Sequence, residues 1–214
     1  MGTTKMKKKI VNKRLKKDGF RVSIFGSARI KKGTREYNKV YNFAKLLGSE
    51  GIDIITGGGP GLMEAANSGH QAGRKDSKTY SIGLNIQLPT EQSPNKSLDI
   101  VYEFKRFSKR LDKFMLLSNA VVIAPGGVGT LLEFFYTWQL VQTEKINNIP
   151  IILMGREYPK LIKWIEKNPL EKGYISKKDM DLLFIAKKST HAAKRIKKAF
   201  QEYQEKKSNL SKTS

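Results

Sequence analysis

Short runs of apolar, largely β-branched residues recur along this chain, separated by longer stretches in which apolar positions return every three or four residues. The short runs, at residues 21–25, 52–55, 78–86, 99–104, 119–124, 149–154 and 182–186, read as strands, several of them apolar on both faces as in a buried parallel sheet. The longer stretches, at 37–47, 62–72, 107–117, 131–141, 159–167 and 190–205, read as amphipathic helices. Strand and helix alternate almost throughout. That order predicts an α/β fold, a single Rossmann-like doubly wound parallel sheet flanked by helices.

Two strand-to-helix junctions carry clustered glycines. The first is Thr56-Gly57-Gly58-Gly59-Pro60-Gly61-Leu62-Met63-Glu64, with Pro60 suited to a first helical turn. The second is Pro125-Gly126-Gly127-Val128-Gly129-Thr130-Leu131-Leu132-Glu133. Glycines leave backbone N–H groups uncovered at a helix N-terminus, where unpaired donors and the helix dipole favour an anion such as phosphate. A capping box formed by Thr130 and Glu133 is the competing explanation, in which the helix closes its own donors. Two such junctions converging at the carboxyl edge of one sheet favour a ligand. Neither contains G-x-G-x-x-G or a lysine following the glycines, so neither NAD nor a nucleoside triphosphate is indicated.

The paired motifs Gly57-Gly58-Gly59-Pro60-Gly61-Leu62-Met63 and Pro125-Gly126-Gly127-Val128-Gly129-Thr130-x-x-Glu133 resemble those of the Lonely Guy (LOG) family, cytokinin-activating phosphoribohydrolases often labelled possible lysine decarboxylases. The resemblance extends from Phe20 to about Gly155 and includes Phe25-Gly26-Ser27-Ala28-Arg29. It implies cleavage of the N-glycosidic bond of a nucleoside 5′-monophosphate, AMP or an N6-modified AMP, to free base and ribose 5-phosphate. It implies no metal or cofactor, and an assembly of at least two chains. In that family an arginine on the helix before the second motif is usually followed by lysine. Here the matching position is Arg110, followed by Leu111. The run from Gly83 through Asn85, Pro89 and Glu91 to Gln92 is similar to a longer bacterial branch, so a plant hormone role does not follow.

The chemistry assigns roles. Glu133 is the expected catalytic carboxylate, stabilising an oxocarbenium-like ribosyl group or orienting water. Arg110 is expected to clamp the substrate or offset charge beside it. Gly58, Gly59, Met63, Gly126, Gly127, Gly129 and Thr130 would hold the 5′-phosphate and its surroundings, and Ser27 with Arg29 a ribose or phosphate. Equally, Ser27 can cap a turn and Arg29 can be a surface charge. No acid for the leaving base is evident, Glu91 and Asp112 being candidates by neighbourhood only. The loop at 89–96, with Glu91, Gln92 and Asn95, is either a binding loop or a plain exposed one. The aromatic group Phe134, Phe135, Tyr136 and Trp138 is either core or a dimer face.

Composition bounds the rest. With 214 residues the chain suits one α/β domain. It has no cysteine and only His70 and His191, which excludes a disulfide framework or thiolate metal site and disfavours a histidine-rich one. Neither glycine motif offers a lysine placed for a Schiff base, which argues against a decarboxylase using pyridoxal phosphate. The net charge of +22 is concentrated at the ends, with eight basic residues against one acidic in 1–20, and nine against two in 187–214. The expected organisation is a basic arm at 1–20, a nucleotide-binding domain at 21–187, and a basic helix and tail at 188–214. Such ends are either solvated tails or arms for nucleic acid. No apolar stretch suits a signal peptide or a membrane span, so a cytoplasmic protein is expected. Beside the hydrolase, a non-catalytic nucleotide carrier and a nucleic-acid-associated protein remain open.

Overall fold

The computed structural model describes residues 19–75, 79–87 and 93–212. The basic arm up to residue 18, Lys78 at the expected start of the third strand, and the loop residues Glu91 and Gln92 lie outside the described residues. Seven strands, β1 (Arg21–Phe25), β2 (Asp53–Thr56), β3 (Ser81–Ile86), β4 (Ile100–Phe104), β5 (Ala120–Ile123), β6 (Ile151–Leu153) and β7 (Leu183–Ile185), form one sheet in the order β4-β3-β2-β1-β5-β6-β7. Every pairing is parallel. The chain winds outward from β1 to β4, then returns to β1's other side with β5. The crevice between β1 and β5 is therefore the switch point, where sheets of this kind bind ligands.

Helices α1 (Arg35–Ser49), α2 (Leu62–Gly73) and α7 (Ser189–Lys212) share one apolar core, in which Val22, Ile24 and Ile54 meet Val40, Phe43, Ala65, Ala192 and Ile196. Helices α3 (Phe107–Leu117), α4 (Val128–Gln142) and α5 (Tyr158–Ile165) contribute to the second, in which Phe25, Ile55, Val121 and Ile123 meet Phe114, Phe134 and Ile162. Alternation along each strand sends its side chains into the two cores in turn. Ser23, buried in β1, is satisfied by Ser118 at 2.6 Å.

The backbones of α1 and α2 touch. A Cβ at Gly69 would meet the Tyr41 carbonyl, and one at Gly73 the Lys45 carbonyl. Between these helices and β2 lies His70, fully buried, whose Nε2 pairs with the Ile52 carbonyl at 2.9 Å. Burial lowers its pKa to about 4.

Several boundaries differ from the sequence expectation. The terminal helix runs on to Lys212 rather than ending near residue 205, since no Gly or Pro interrupts the sequence there. Its Phe200 and Tyr203 pack on Phe20, with ring centroids 5.3 and 5.5 Å away. After α5 the chain forms a π-helical turn (Glu166–Leu170) containing Pro169, then a short helix α6 (Lys177–Asp181) closed by a Ser176–Asp179 capping box. Neither was expected. Among the described residues, no helix is long and apolar enough to cross a membrane.

Candidate active site

Helix α4 starts at Val128, three residues before the expected Leu131, and that displacement rules out the capping box. Its N-cap is Gly127, which supplies no side chain. Thr130 therefore lies inside the first turn, too late to cap it, and the capping box does not form. Leu131 is the first helical N–H bonded back, to Gly127 at 3.0 Å. The N–H groups of Val128, Gly129 and Thr130 have no acceptor among the described residues. Exposed glycines at 126, 127 and 129 leave these donors accessible. Donors left unpaired at a helix start can accept an anion. A Cβ at Gly126 would strike the Thr130 hydroxyl, so glycine there lets the buried Thr130 fold back beneath the turn.

The first glycine loop is held by polar side chains, of which only Asn95 stood out in the sequence as a candidate contact. Thr56 Oγ1 donates to Asn67 Oδ1 at 2.8 Å and accepts from the Gly58 N–H at 3.0 Å. Asn67 Nδ2 donates to Ser81 at 2.8 Å. Asn95, the one residue of the polar loop singled out earlier that is described, donates through Nδ2 to the carbonyls of Gly58 and Gly59 at 3.1 and 2.9 Å. Its backbone N–H adds a bond to the Gly58 carbonyl at 2.8 Å. Asn95 thus pins the loop from outside. Gly58 and Gly61 both have positive φ, +76° and +68°, where a side chain would strain the turn. Asn67 stands among other polar residues of its helix, Ser68, His70 and Gln71, so no local signal marks it.

A cleft of about 520 Å³ opens between the two loops, a size suited to a small ligand. Its lining includes Ser27, Arg29, Gly59, Met63, Arg110, Gly127, Gly129, Thr130 and Glu133 of the expected residues, and adds Asn85 at the end of β3. Gly58 and Gly126 stand behind the lining, as supports for the loops. Ser27 Oγ accepts from the Arg29 N–H at 3.1 Å, so it does cap its own turn, and Arg29 is exposed at the rim. Asp112 lies outside the cleft and accepts from the Tyr136 hydroxyl at 2.7 Å. That removes it as an acid for a leaving base.

Glu133 and Arg110 meet at the floor. Arg110 Nε donates to the Leu84 carbonyl at 2.7 Å, and its Nη1 lies 3.5 Å from Glu133 Oε1. The Arg110 guanidinium also sits over the Phe114 ring, 5.1 Å from its centroid. Both side chains are buried, Arg110 8% and Glu133 9% exposed. Burial raises the Glu133 pKa to about 7, with Arg110 pulling the other way. Burial likewise lowers that of Arg110. The carboxyl group is thus poised to exchange a proton near neutrality, the property expected of a general base or acid. Among the described residues, no group of three His, Cys, Asp or Glu side chains is placed to hold a metal ion.

Fold and cleft together define a Rossmann-like α/β protein, with an uncapped, glycine-lined helix start beside a buried carboxylate at the sheet's switch point. Residues 63–196 match the protein family described as possible lysine decarboxylase, and the chain belongs to that family, the one with which LOG-type motifs are associated. A pyrimidine/purine nucleotide 5′-monophosphate nucleosidase of Escherichia coli K12 is 31% identical over 127 residues, covering 56% of this chain. The chain spans only 28% of that relative's length. Among solved structures, a molybdenum cofactor binding protein from Rippkaea orientalis superposes with TM-score 0.65 at 19% identity, covering 86% of this chain and 98% of that one. The molybdenum cofactor carrier protein of Chlamydomonas reinhardtii gives 0.62 at 20% identity, covering 86% and 99%. At such identities these two show a shared fold.

Proposed function

We propose that the protein is a phosphoribohydrolase that cleaves the N-glycosidic bond of a nucleoside 5′-monophosphate, releasing the free base and ribose 5-phosphate. The observation that carries this is Glu133, a buried carboxylate with its pKa raised to about 7, one helical turn beyond an uncapped, glycine-lined helix start. The free N–H groups of Val128, Gly129 and Thr130 receive the 5′-phosphate, so binding energy remote from the bond places C1′ against Glu133. As the C1′–N bond lengthens, positive charge gathers on the ribosyl group, and the ionised carboxylate stabilises it. Water then bonds to C1′ and gives its proton to Glu133, while the base leaves with the bond's electron pair and takes up a proton from solvent; Glu133 then releases its own proton to solvent. Arg110, fixed by Leu84 and Phe114, holds the carboxylate in place. Asn85 offers an amide to the ribose or the base.

The E. coli relative's name joins pyrimidine and purine nucleotides. Both classes therefore belong in the test, with AMP and N6-modified AMP as the first members. Release of base and ribose 5-phosphate from at least one nucleotide, lost in Glu133→Ala, is the expected result. Failure of every nucleotide to turn over would overturn it and leave the carrier reading.

We further place a second copy of this chain against α4, whose Val128, Leu132 and Phe135 are 84%, 47% and 41% exposed beside the cradle. An apolar stripe of this kind on a helix is suited to burial against its equivalent.

A further inference from the structure

A second cavity, of about 840 Å³, lies at the same carboxyl edge of the sheet but on the side of α1 and α7, and the proposed hydrolysis makes no use of it. Three segments converge on it: the first turns of α1, the stretch following β6, and the residues leading from β7 into α7. They bring Arg35, Lys39, Arg156, Lys187 and Lys188 to one hollow, against two acidic residues, Glu36 and Glu157. None of the five cations forms an ion pair or side-chain hydrogen bond among the described residues.

Like charges gathered without partners repel one another, and the cost is relieved by a multivalent anion. Lys39 registers it: half-buried, its pKa is lowered by burial and by Arg35, against the opposing pull of Glu157 and Glu36. The N-termini of α1 and α7 both open on the same hollow, adding the positive ends of two helix dipoles. The lining contains no aromatic side chain on which a nucleobase would stack, and the hollow is of small-molecule size. From this geometry we infer a second ligand site, for a small molecule carrying several phosphates. Its occupant would rest on Pro125, the residue that begins the Gly126-Gly127 turn of the candidate active site.

The probe is inorganic tripolyphosphate, titrated calorimetrically into the intact 214-residue chain. One site is expected, with affinity falling by about tenfold or more in Lys187→Glu/Lys188→Glu and in Arg156→Glu, each verified as folded by circular dichroism. Gly129→Asp sets a carboxylate in the α4 cradle, where a Cβ has open space, and is expected to leave this binding unchanged. Binding that survives the lysine and arginine reversals, or that is lost in Gly129→Asp, would overturn the assignment. So would a single-stranded oligonucleotide of about twenty residues that binds about tenfold tighter than tripolyphosphate and needs the same lysines. These readouts do not depend on turnover, so the site and the hydrolase proposal fail or stand separately.

Discussion

Glu133 shows how two opposing effects are resolved at one residue. Arg110 stands 3.5 Å away, near the limit of a useful ion pair, while the carboxylate is almost wholly removed from water. Desolvation wins, and the pKa rises from 4.5 to about 7. A folded-state pKa above the unfolded one means that the fold binds the extra proton between those values. Glu133's contribution to stability is therefore present below about 4.5 and lost as pH rises through about 7. His70 acts in the opposite sense, with a folded pKa of about 4 against 6.5, so its contribution is lost as pH falls. The two offset each other in the native protein. In Glu133→Gln one half of that balance is removed, and urea melts should show the variant gaining on the native protein by on the order of 2 kcal/mol as pH rises from 4.5 to 7. If the protein is the proposed hydrolase, the pH profile of kcat/KM should show an acid limb near 7, from ionisation of Glu133. A second residue-scale prediction concerns Gly57, where a Cβ would lie 2.7 Å from Met63 Sδ and meet Arg110 Nη2 still more closely. Gly57→Ala should displace the guanidinium and lower kcat/KM by about ten- to a hundredfold, with only a small change in melting temperature.

At the scale of elements, the decisive contacts are backbone against backbone. Replacing glycine by alanine inside an exposed helix normally stabilises it by about 1 kcal/mol. At Gly69 and Gly73 the sign should reverse, because the added methyl would enter the α1 backbone at Tyr41 and Lys45. Each substitution should cost about 1–3 kcal/mol in denaturant melts. The loss should reach the site, since α2 begins at the glycine loop and its Leu62 N–H is tied to the Ser27 carbonyl at 2.9 Å. The strands and the two strand–glycine–helix junctions were legible in sequence, because β-branched runs and clustered glycines are local signals. The start of α4 was not. Gly127 lacks a capping side chain, while Thr130 and Glu133 carry the spacing of a cap, so the pattern pointed three residues too late. The absence of a cap is what leaves the cradle's donors available. The Thr56–Asn67–Ser81–Asn95 network was illegible for another reason: its members lie on separate elements, with directly bonded pairs 11, 14 and 28 positions apart, joined only by the fold.

For the whole molecule, the order of the sheet explains why residues from five segments share one cleft. β1 lies between β2 and β5, so the loops after all three open at the same edge, and β3 and α3 add Asn85 and Arg110. The proposed second copy against α4 has its own test. Light scattering should give about twice the chain mass of 24.2 kDa, falling to the single-chain value in Leu132→Glu/Phe135→Glu. An unchanged mass in that variant would place any partner elsewhere.

A hydrolase and a carrier part company over whether a bound nucleotide is cleaved. The dissociation constant and the turnover of AMP, measured on one preparation for the native protein and for Glu133→Gln, separate the two. Base release by the native protein, a fall in kcat of about a hundredfold or more in the variant, and dissociation constants within a few-fold of each other are expected of the proposed hydrolase. Native protein that binds AMP tightly and returns it intact would contradict it.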